Sequence, residues 1–375
     1  MSVLYIYFRF IQFSLGLYEG REFMDGSALV GFDWKKFYDF ARKQTLLGII
    51  MDGIVRLPKV TAPKPGVLMP WFVLSRKINS LNGIMNDATV QIYDKIKHEG
   101  FSCCVLKGQG NALMYPNPNS RTSGDIDVWV NASRDDIRSL AHRLVEQNGK
   151  VLDESLNHVV LSADNVVVEL HSMPCFMANS LYNSRLQKWL NDNVDRQCGN
   201  LVAFPDTDSK VAVPTTEFNV IYQLYHIYHH YFYEGIGLRQ IIDYYFVIKK
   251  LHEDNFSSKN LRLLQRKIKY LGLWKFAGAL MFVLNECMNL SEDKHIVPMD
   301  VKRGKMLLDD ILAGGNFGFH YNRKKIGCRF IDHNLQRLLR DARLVAYYPS
   351  EAFCEPFFRM WHYLWRKNIK LFVTA

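Results

Sequence analysis

The segment RTSGDIDVWV, residues 121–130, places two aspartates on either side of one isoleucine. The apolar residues after Asp127 predict a buried strand, and residues two apart on a strand project from the same face. Asp125 and Asp127 should therefore project together, and each carboxylate raises the pKa of the other unless a cation lies between them. A hard divalent cation with oxygen ligands, Mg²⁺ or Mn²⁺, removes this conflict. The pair is thus a candidate metal site.

An Asp-x-Asp pair is weak evidence alone, because the chain has a second one, Asp206 and Asp208, in the polar segment FPDTDSK. We interpret that second pair as solvated. The first pair has basic neighbours. Upstream, VLKGQGNALMY predicts a strand, a Lys107–Gly108 turn and a short helix, and the N–H groups of such a turn suit a phosphate, to which Lys107 adds charge. Arg121 could hold a phosphate with two parallel hydrogen bonds.

A third carboxylate, Glu169, interrupts the apolar run of the strand VVVELH. A buried carboxylate without a partner is costly, by several kcal/mol in round terms, so a partner is expected. A metal shared with Asp125 and Asp127 would be such a partner. His171 falls on the same face of the strand as Glu169.

Together these motifs resemble the uncharacterised nucleotidyltransferase family of the DNA polymerase β-like superfamily. The family pattern runs Lys-Gly, Tyr, Arg, Gly-Asp-x-Asp and a strand ending in Glu-x-His, matched here by Lys107–Gly108, Tyr115, Arg121, Gly124–Asp127 and Glu169–His171. The flanking segments DWKKFYDFARKQTLLGII and GLRQIIDYYFV are also similar to the family. The superfamily usually has Gly-Ser in the phosphate turn, where this chain has Lys-Gly, and its polymerases usually have Asp as the third carboxylate.

The resemblance implies an enzyme that moves an NMP group from an NTP to an acceptor hydroxyl on a small molecule, a sugar or a protein. It implies that Asp125, Asp127 and Glu169 are catalytic and hold Mg²⁺ or Mn²⁺. The nucleotide phosphates would be bound by Lys107, Gly108, Arg121 and Gly124. An RNA end as acceptor stays open, although nucleic acid is not favoured, and the base of the NTP is equally open.

A polar stripe on the later helix FNVIYQLYHIYHHYFY suggests an acceptor pocket. Asn219, Gln223, His226 and His230 recur on it at spacings of three and four. We expect the pocket to include His171, His226, His230 and Arg239. The two histidines, four apart, could also bind zinc, but the sequence offers no third ligand. Arg239 and Asp243 are expected to form an intrahelical ion pair.

The elements that position these residues form a middle α+β unit between two helical regions. We expect an N-terminal helical region over 1–95, a polymerase β-like core with a small mixed sheet over 96–210, and a C-terminal helical domain over 211–375. In the core, the order is strand, helix, strand, helix and a hairpin. The second helix should run from an N-cap at Ser133 to a stop at Gly149, and the hairpin HVVLSADNVVVELH should turn at 163–165.

Outside the core, helical periodicity and start signals predict the remaining elements. They are a first helix in 1–17, a helix capped by Asp33, a proline-rich connector over 58–70, a start at Pro214–Glu217, helices near 75–99, 237–252, 258–290, 300–313 and 332–345, and a last aromatic helix, FFRMWHYLWRKNIKLF.

Composition limits the setting of this chemistry. Of the 375 residues 48% are hydrophobic and 22% charged, which is ordinary for a globular protein with a real core, and the formal charge of +10 favours phosphate-bearing partners. The seven cysteines form no CxxC, which fits a reducing cytoplasm. Arg9 and Gln12 interrupt the apolar N-terminus, so no membrane span is expected.

Two other function classes stay open. An Asp-x-Asp glycosyltransferase that uses a nucleotide-sugar needs a larger doubly wound domain before the motif, where this chain reads as helical. A catalytically degenerate nucleotide-binding or interaction protein would not need all three carboxylates. Transfer of the α-phosphate from a labelled NTP would separate these classes.

Overall fold

The computed structural model describes residues 2–145, 149–155, 157–163, 166–205, 207, 209–254, 256–316, 339–340 and 342–373. Asp206 and Asp208, the hairpin turn at 164–165 and most of the helix expected at 332–345 lie outside these residues.

Helices build most of the described chain. Four precede a long fifth helix, and the rest surround and follow a central sheet. Their bounds are α1 Val3–Ser14, α2 Arg21–Met24, α3 Trp34–Lys43, α4 Leu47–Arg56, α5 Pro65–His98, α6 Gly108–Ala112, α7 Arg134–Leu144, α8 Ser180–Asn191, α9 Val194–Cys198, α10 Thr216–Tyr233, α11 Leu238–Glu253, α12 Ser258–Tyr270, α13 Trp274–Met288, α14 Val301–Gly314 and α15 Pro349–Val373. None of the helices in the described residues is both long enough and apolar enough to cross a bilayer.

A five-stranded mixed sheet forms the centre, in the spatial order β1-β2-β5-β4-β3. Only the β2–β5 pair is parallel, and the other three pairs are antiparallel. A separate two-stranded sheet pairs β6 with β7. The strands are β1 Cys103–Leu106, β2 Ile126–Val130, β3 Gly149–Glu154, β4 His158–Ala163, β5 Val166–His171, β6 Leu201–Ala203 and β7 Lys210–Ala212. The α+β class with a small mixed sheet is therefore confirmed, whereas the division at 95/96 and 210/211 stays a prediction.

Local signals placed several elements correctly. The Asp33 carboxylate accepts from the backbone N–H of Lys36, and the Ser133 hydroxyl accepts from that of Asp136, so both predicted N-caps are confirmed. The strands before Lys107 and after Asp125 also form as expected.

Three element boundaries were wrong. The helix expected from 75 already begins at Pro65, because proline at the first helical position loses no intrahelical hydrogen bond. The helix expected over 258–290 breaks at Gly272, whose φ is +76° and where an added Cβ would lie 2.7 Å from the Tyr182 ring. Gly149 does not stop α7, which ends at Leu144; it begins β3, a strand that the sequence analysis missed.

The core is divided between two apolar clusters. One lies mainly between the sheet and helices α5 and α7, and includes Ile96, Val128 and Leu140. The other joins the N-terminal helices to the helices that follow the sheet. There, α1 contacts α13, and the Gln12 side chain donates to the Cys287 carbonyl oxygen at 3.0 Å. The face of the sheet that carries Asp127 and Glu169, on the interior strands β2 and β5, lies across a cavity from α10 and α11.

Candidate active site

The sheet register brings three chain segments to one level. Leu106 pairs with Asp127 across the antiparallel β1–β2 ladder, and Asp127 pairs with Glu169 across the parallel β2–β5 ladder. Lys107 follows directly after β1, so it leaves the sheet beside Asp127. Register partners on adjacent strands project from the same face of the sheet. Glu169 therefore lies beside Asp127, on the face from which both aspartates project.

The three carboxylates form a compact cluster. Asp125, Asp127 and Glu169 each offer a carboxylate oxygen that lies within 4.8 Å of the other two. Asp127 is buried, whereas Asp125 and Glu169 are partly exposed. The set provides only oxygen donors and is open to the cavity on one side.

Two cations hold the deepest carboxylate. Lys107 Nζ lies 2.7 Å from Asp127 Oδ1, and His171 Nε2 lies 3.0 Å from the same oxygen. His171 Nε2 is also 3.3 Å from Glu169 Oε2. His171 is itself buried, and its Nε2 links Asp127 to Glu169.

These contacts shift the pKa values of Asp125, Asp127 and His171 in different directions. The charge of Asp127, followed by burial, raises the pKa of Asp125 to about 6. Burial would raise the pKa of Asp127, but Lys107 and His171 outweigh it and lower that pKa well below its usual range. Burial would lower the pKa of His171, but the hydrogen bonds to Asp127 and Glu169 raise it to about 9. At neutral pH, therefore, His171 is protonated and balances the cluster together with Lys107.

The turn after β1 has an unusual backbone. Lys107 has a φ of +45° and Gly108 a φ of +38°. Residues other than glycine rarely adopt a positive φ, so the backbone at Lys107 is strained. A Cβ on Gly108 would lie 3.3 Å from the backbone oxygen of Asp125, so glycine keeps the turn close to the start of β2. Gly124 lines the cavity beside it.

Arg121 is held by a partner that the sequence analysis did not assign to it. Its Nε and Nη2 donate to the two oxygens of Asp243, at 2.7 and 2.8 Å, and both residues are buried. Tyr115 donates to the same carboxylate at 2.6 Å. The expected Arg239–Asp243 pair was wrong: Asp243 is occupied by Arg121, and Arg239 donates to the Thr122 carbonyl oxygen at 2.9 Å.

A cavity of about 440 Å³ lies between the carboxylates and the helices α10 and α11. Among the predicted acceptor residues, His226, His230 and Arg239 line it, and Gln223 does as well. His230 Nδ1 lies 2.8 Å from Glu234 Oε2. Asn219 points elsewhere and donates to Asn111 Oδ1. Within the described residues, neither of the two groups of three possible metal ligands includes His226 or His230, so zinc there gains no support.

His158 is a further residue that the sequence analysis missed. It is the register partner of His171 on β4, and the two ring centroids lie 5.1 Å apart. Burial, followed by the charge of His171, lowers the pKa of His158 to about 4, so this ring is neutral beside a protonated one. Its position at the first residue of a hairpin strand was the available signal, but pairing across strands cannot be read from a lone histidine.

One comparison with known proteins identifies a family for this chain. A family model described as "Uncharacterised nucleotidyltransferase" matches residues 31–289. Among solved structures, the chain is similar to an antigenic nucleotidyltransferase-like protein from Paracoccidioides brasiliensis, with 14% sequence identity, a TM-score of 0.34, and coverage of 58% of this chain and 94% of that one. A search of curated proteins finds no match.

Proposed function

The chain belongs to the uncharacterised nucleotidyltransferase family, and from this premise we propose that it transfers an NMP group from an NTP to an acceptor hydroxyl on a small molecule, a sugar or a protein. The observation that carries the proposal is the cluster of Asp125, Asp127 and Glu169, with their oxygens within 4.8 Å of one another beside a cavity. The family membership supports nucleotidyl transfer in general, and the residue roles below are ours.

The carboxylate cluster suits divalent cations. Mg²⁺ and Mn²⁺ prefer carboxylate and water oxygens, and Asp125, Asp127 and Glu169 supply only such donors. When bound, these ions would neutralise charge on the triphosphate and lower the pKa of the acceptor hydroxyl.

In the proposed reaction, the acceptor oxygen bonds to the α-phosphorus, the bond from that phosphorus to the pyrophosphate oxygen breaks, and the hydroxyl proton is released. We assign Asp125 and Asp127 to the nucleotide side and Glu169, which arrives from the neighbouring strand, to the acceptor side. His171 is a positioning residue, because its Nε2 contacts both Asp127 and Glu169 and fixes their spacing.

The phosphate-binding groups divide into two kinds. Lys107, Gly108 and Gly124 line the cavity next to the carboxylates, and we assign them to the phosphates. Arg121 also lines the cavity, but its Nε and Nη2 both donate to Asp243, which favours a positioning role for it. Arg239 makes one hydrogen bond through Nη1 and faces the same space, so it is the guanidinium better placed to reach an anionic group.

We assign the acceptor to the far wall of the cavity. Gln223, His226 and His230 come from α10 and face the carboxylates across about 440 Å³. Burial lowers the pKa of His226 well below its usual value, so its ring is neutral and can both donate and accept a hydrogen bond to a polar acceptor.

The test uses NTPs labelled at the α-phosphate. The four NTPs are incubated with metabolite pools, a peptide mixture and an RNA mixture in the presence of Mg²⁺, and pyrophosphate release and label transfer are recorded together. Transfer that requires Mg²⁺ and is lost in Asp127→Asn supports the proposal. Release of a nucleoside diphosphate from a nucleotide-sugar, without label transfer from any NTP, would replace it by glycosyl transfer.

A further inference from the structure

The helix α15 presents its apolar side to solvent. Five large apolar residues lie on one stripe at spacings of three, four or one, and each is between 48 and 64% exposed: Phe353, Phe357, Met360, Trp361 and Leu364. We call these five residues the α15 stripe. On a helix, positions three and four apart are neighbours, so the stripe is one continuous surface.

The opposite side of α15 faces the protein and makes both apolar and polar contacts: Ala352 is buried in the core, and the Phe358 ring stacks on that of Phe176 with 5.1 Å between centroids. Glu351 is 4% exposed and accepts from the backbone N–H groups of Ala178 and Asn179, at 2.8 and 3.3 Å. Glu355 is 1% exposed and pairs with Arg359 at 3.4 Å. These contacts fix the rotation of the helix about its axis.

In the usual surface helix, apolar residues face the core and charged residues face water. α15 departs from this pattern, because two glutamates are buried while the five residues of the α15 stripe are exposed. Glu351 lies inward because it accepts hydrogen bonds from two backbone N–H groups just before α8. Those hydrogen bonds give no reason for the five apolar residues of the stripe to face water, where their exposure is unfavourable. A contiguous exposed apolar surface of this kind marks an interaction site.

The charge of α15 and of the whole chain favours an anionic lipid surface over a second copy of the chain as the partner. Residues 349–375 contain two acidic residues, Glu351 and Glu355, and both point inward. The basic residues in the same range are Arg359, Arg366, Lys367 and Lys370. A second copy of the chain would bring a net charge of +10 against +10, whereas an anionic lipid surface is complementary.

We propose that the α15 stripe docks on an anionic phospholipid surface, with the helix lying along the interface. The composition fits this partner, because Trp361 and the exposed Tyr363 are the aromatic types enriched where hydrocarbon meets water. The combination of bulky apolar residues on one side and nearby Lys and Arg is typical of helices that lie in this plane. Membrane docking through α15 is independent of nucleotidyl transfer.

The test is flotation of the full-length protein with phosphatidylcholine vesicles, with and without phosphatidylserine. We expect the wild type to float with the anionic vesicles, and a double variant, Phe357→Ser with Leu364→Ser, to lose on the order of a hundredfold in partition coefficient, given the apolar area of two side chains. The matched control is Val30→Ser with Val60→Ser, since both valines are apolar and are 86 and 92% exposed elsewhere on the surface. The control should float like the wild type.

A second measurement avoids any effect of the serine variants on folding. Brominated lipids quench tryptophan at short range, so the wild type should show quenching that Trp361→Phe reduces; Trp365, whose ring lies 6.5 Å from that of Trp361, accounts for any remainder. Absence of flotation by the wild type, or equal flotation by the wild type and the double variant, would overturn the proposal. If sedimentation instead shows a wild-type dimer that the double variant converts to a monomer, the stripe is a self-association surface and lipid docking is wrong.

Discussion

Replacing Glu169 by glutamine separates chemistry from structure at the carboxylate cluster. The side chain is 23% exposed, and its contact with His171 Nε2 is 3.3 Å long. Loss of a charged hydrogen bond costs about 1.5–3 kcal/mol when fully buried. Partial exposure and the relief of repulsion with Asp127 reduce this, so we expect a change of about 1 kcal/mol or less in unfolding free energy. Loss of a catalytic carboxylate typically lowers the rate by about 10²–10⁴.

The assay is pyrophosphate release with the acceptor pool that supports transfer, alongside thermal unfolding and calorimetry with Mg²⁺–NTP. We expect Glu169→Gln to fold, to bind Mg²⁺–NTP, and to lose nearly all turnover. Glu154→Gln is the matched control, because that glutamate lies in the same sheet, is 22% exposed, and pairs with Arg138 at 3.1 Å. It should keep full turnover. A Glu169→Gln protein that unfolds at much lower temperature but retains full turnover per folded molecule would refute the three-carboxylate mechanism.

Four further outcomes are expected. Asp125→Asn should abolish Mg²⁺-dependent NTP binding in calorimetry, while Asp206→Asn should not; equal effects would remove the preference for the first pair. Lys107→Ala should weaken ATP binding more than adenosine binding, and an equal loss would contradict a phosphate role. Because Mg²⁺ needs an ionised carboxylate and the Asp125 pKa is about 6, metal affinity measured by calorimetry should fall about tenfold per pH unit below that value; in the metal-free protein, an NMR titration should show a lower Asp125 pKa in Asp127→Asn than in the wild type. Asp243→Asn should lower the unfolding free energy by about 3–5 kcal/mol in denaturant melts, since it leaves a buried guanidinium without its counter-charge; a loss below 1 kcal/mol would show that the pair is not needed.

The parts of the fold that follow local rules were predictable from the sequence. The strand that contains Asp127 has an apolar run directly after it, Val128–Val130, and the caps at Asp33 and Ser133 bond backbone N–H groups three residues away. The family, too, was recognised from motifs that lie inside residues 31–289, and this recognition is confirmed. The roles of the site residues stay predictions.

Long-range pairings were not predictable. Arg121 and Asp243 lie 122 positions apart, and from a single sequence the nearer Arg239, one helical turn away, was the more plausible partner for Asp243. The missed strand β3 is mostly exposed and polar, so it lacks the alternation that identifies a half-buried strand. It is held by its pairing with β4, which no local pattern reports.

Sequence analysis did not identify the cations that balance Asp125 and Asp127. A metal was the simplest way to balance two neighbouring carboxylates, yet the chain supplies two cations of its own, Lys107 and His171, and both contact Asp127. Asp125 is left as the carboxylate with the raised pKa.

A divalent ion would therefore have to compete with Lys107 for Asp127. Lys107 can either pair with Asp127 or bind the phosphates, but it cannot do both with its one charge. If Lys107 moves to the phosphates when the nucleotide binds, its removal should tighten Mg²⁺ binding in the absence of NTP and weaken it in the presence of NTP. If Lys107 stays on Asp127, its removal should change both affinities in the same direction.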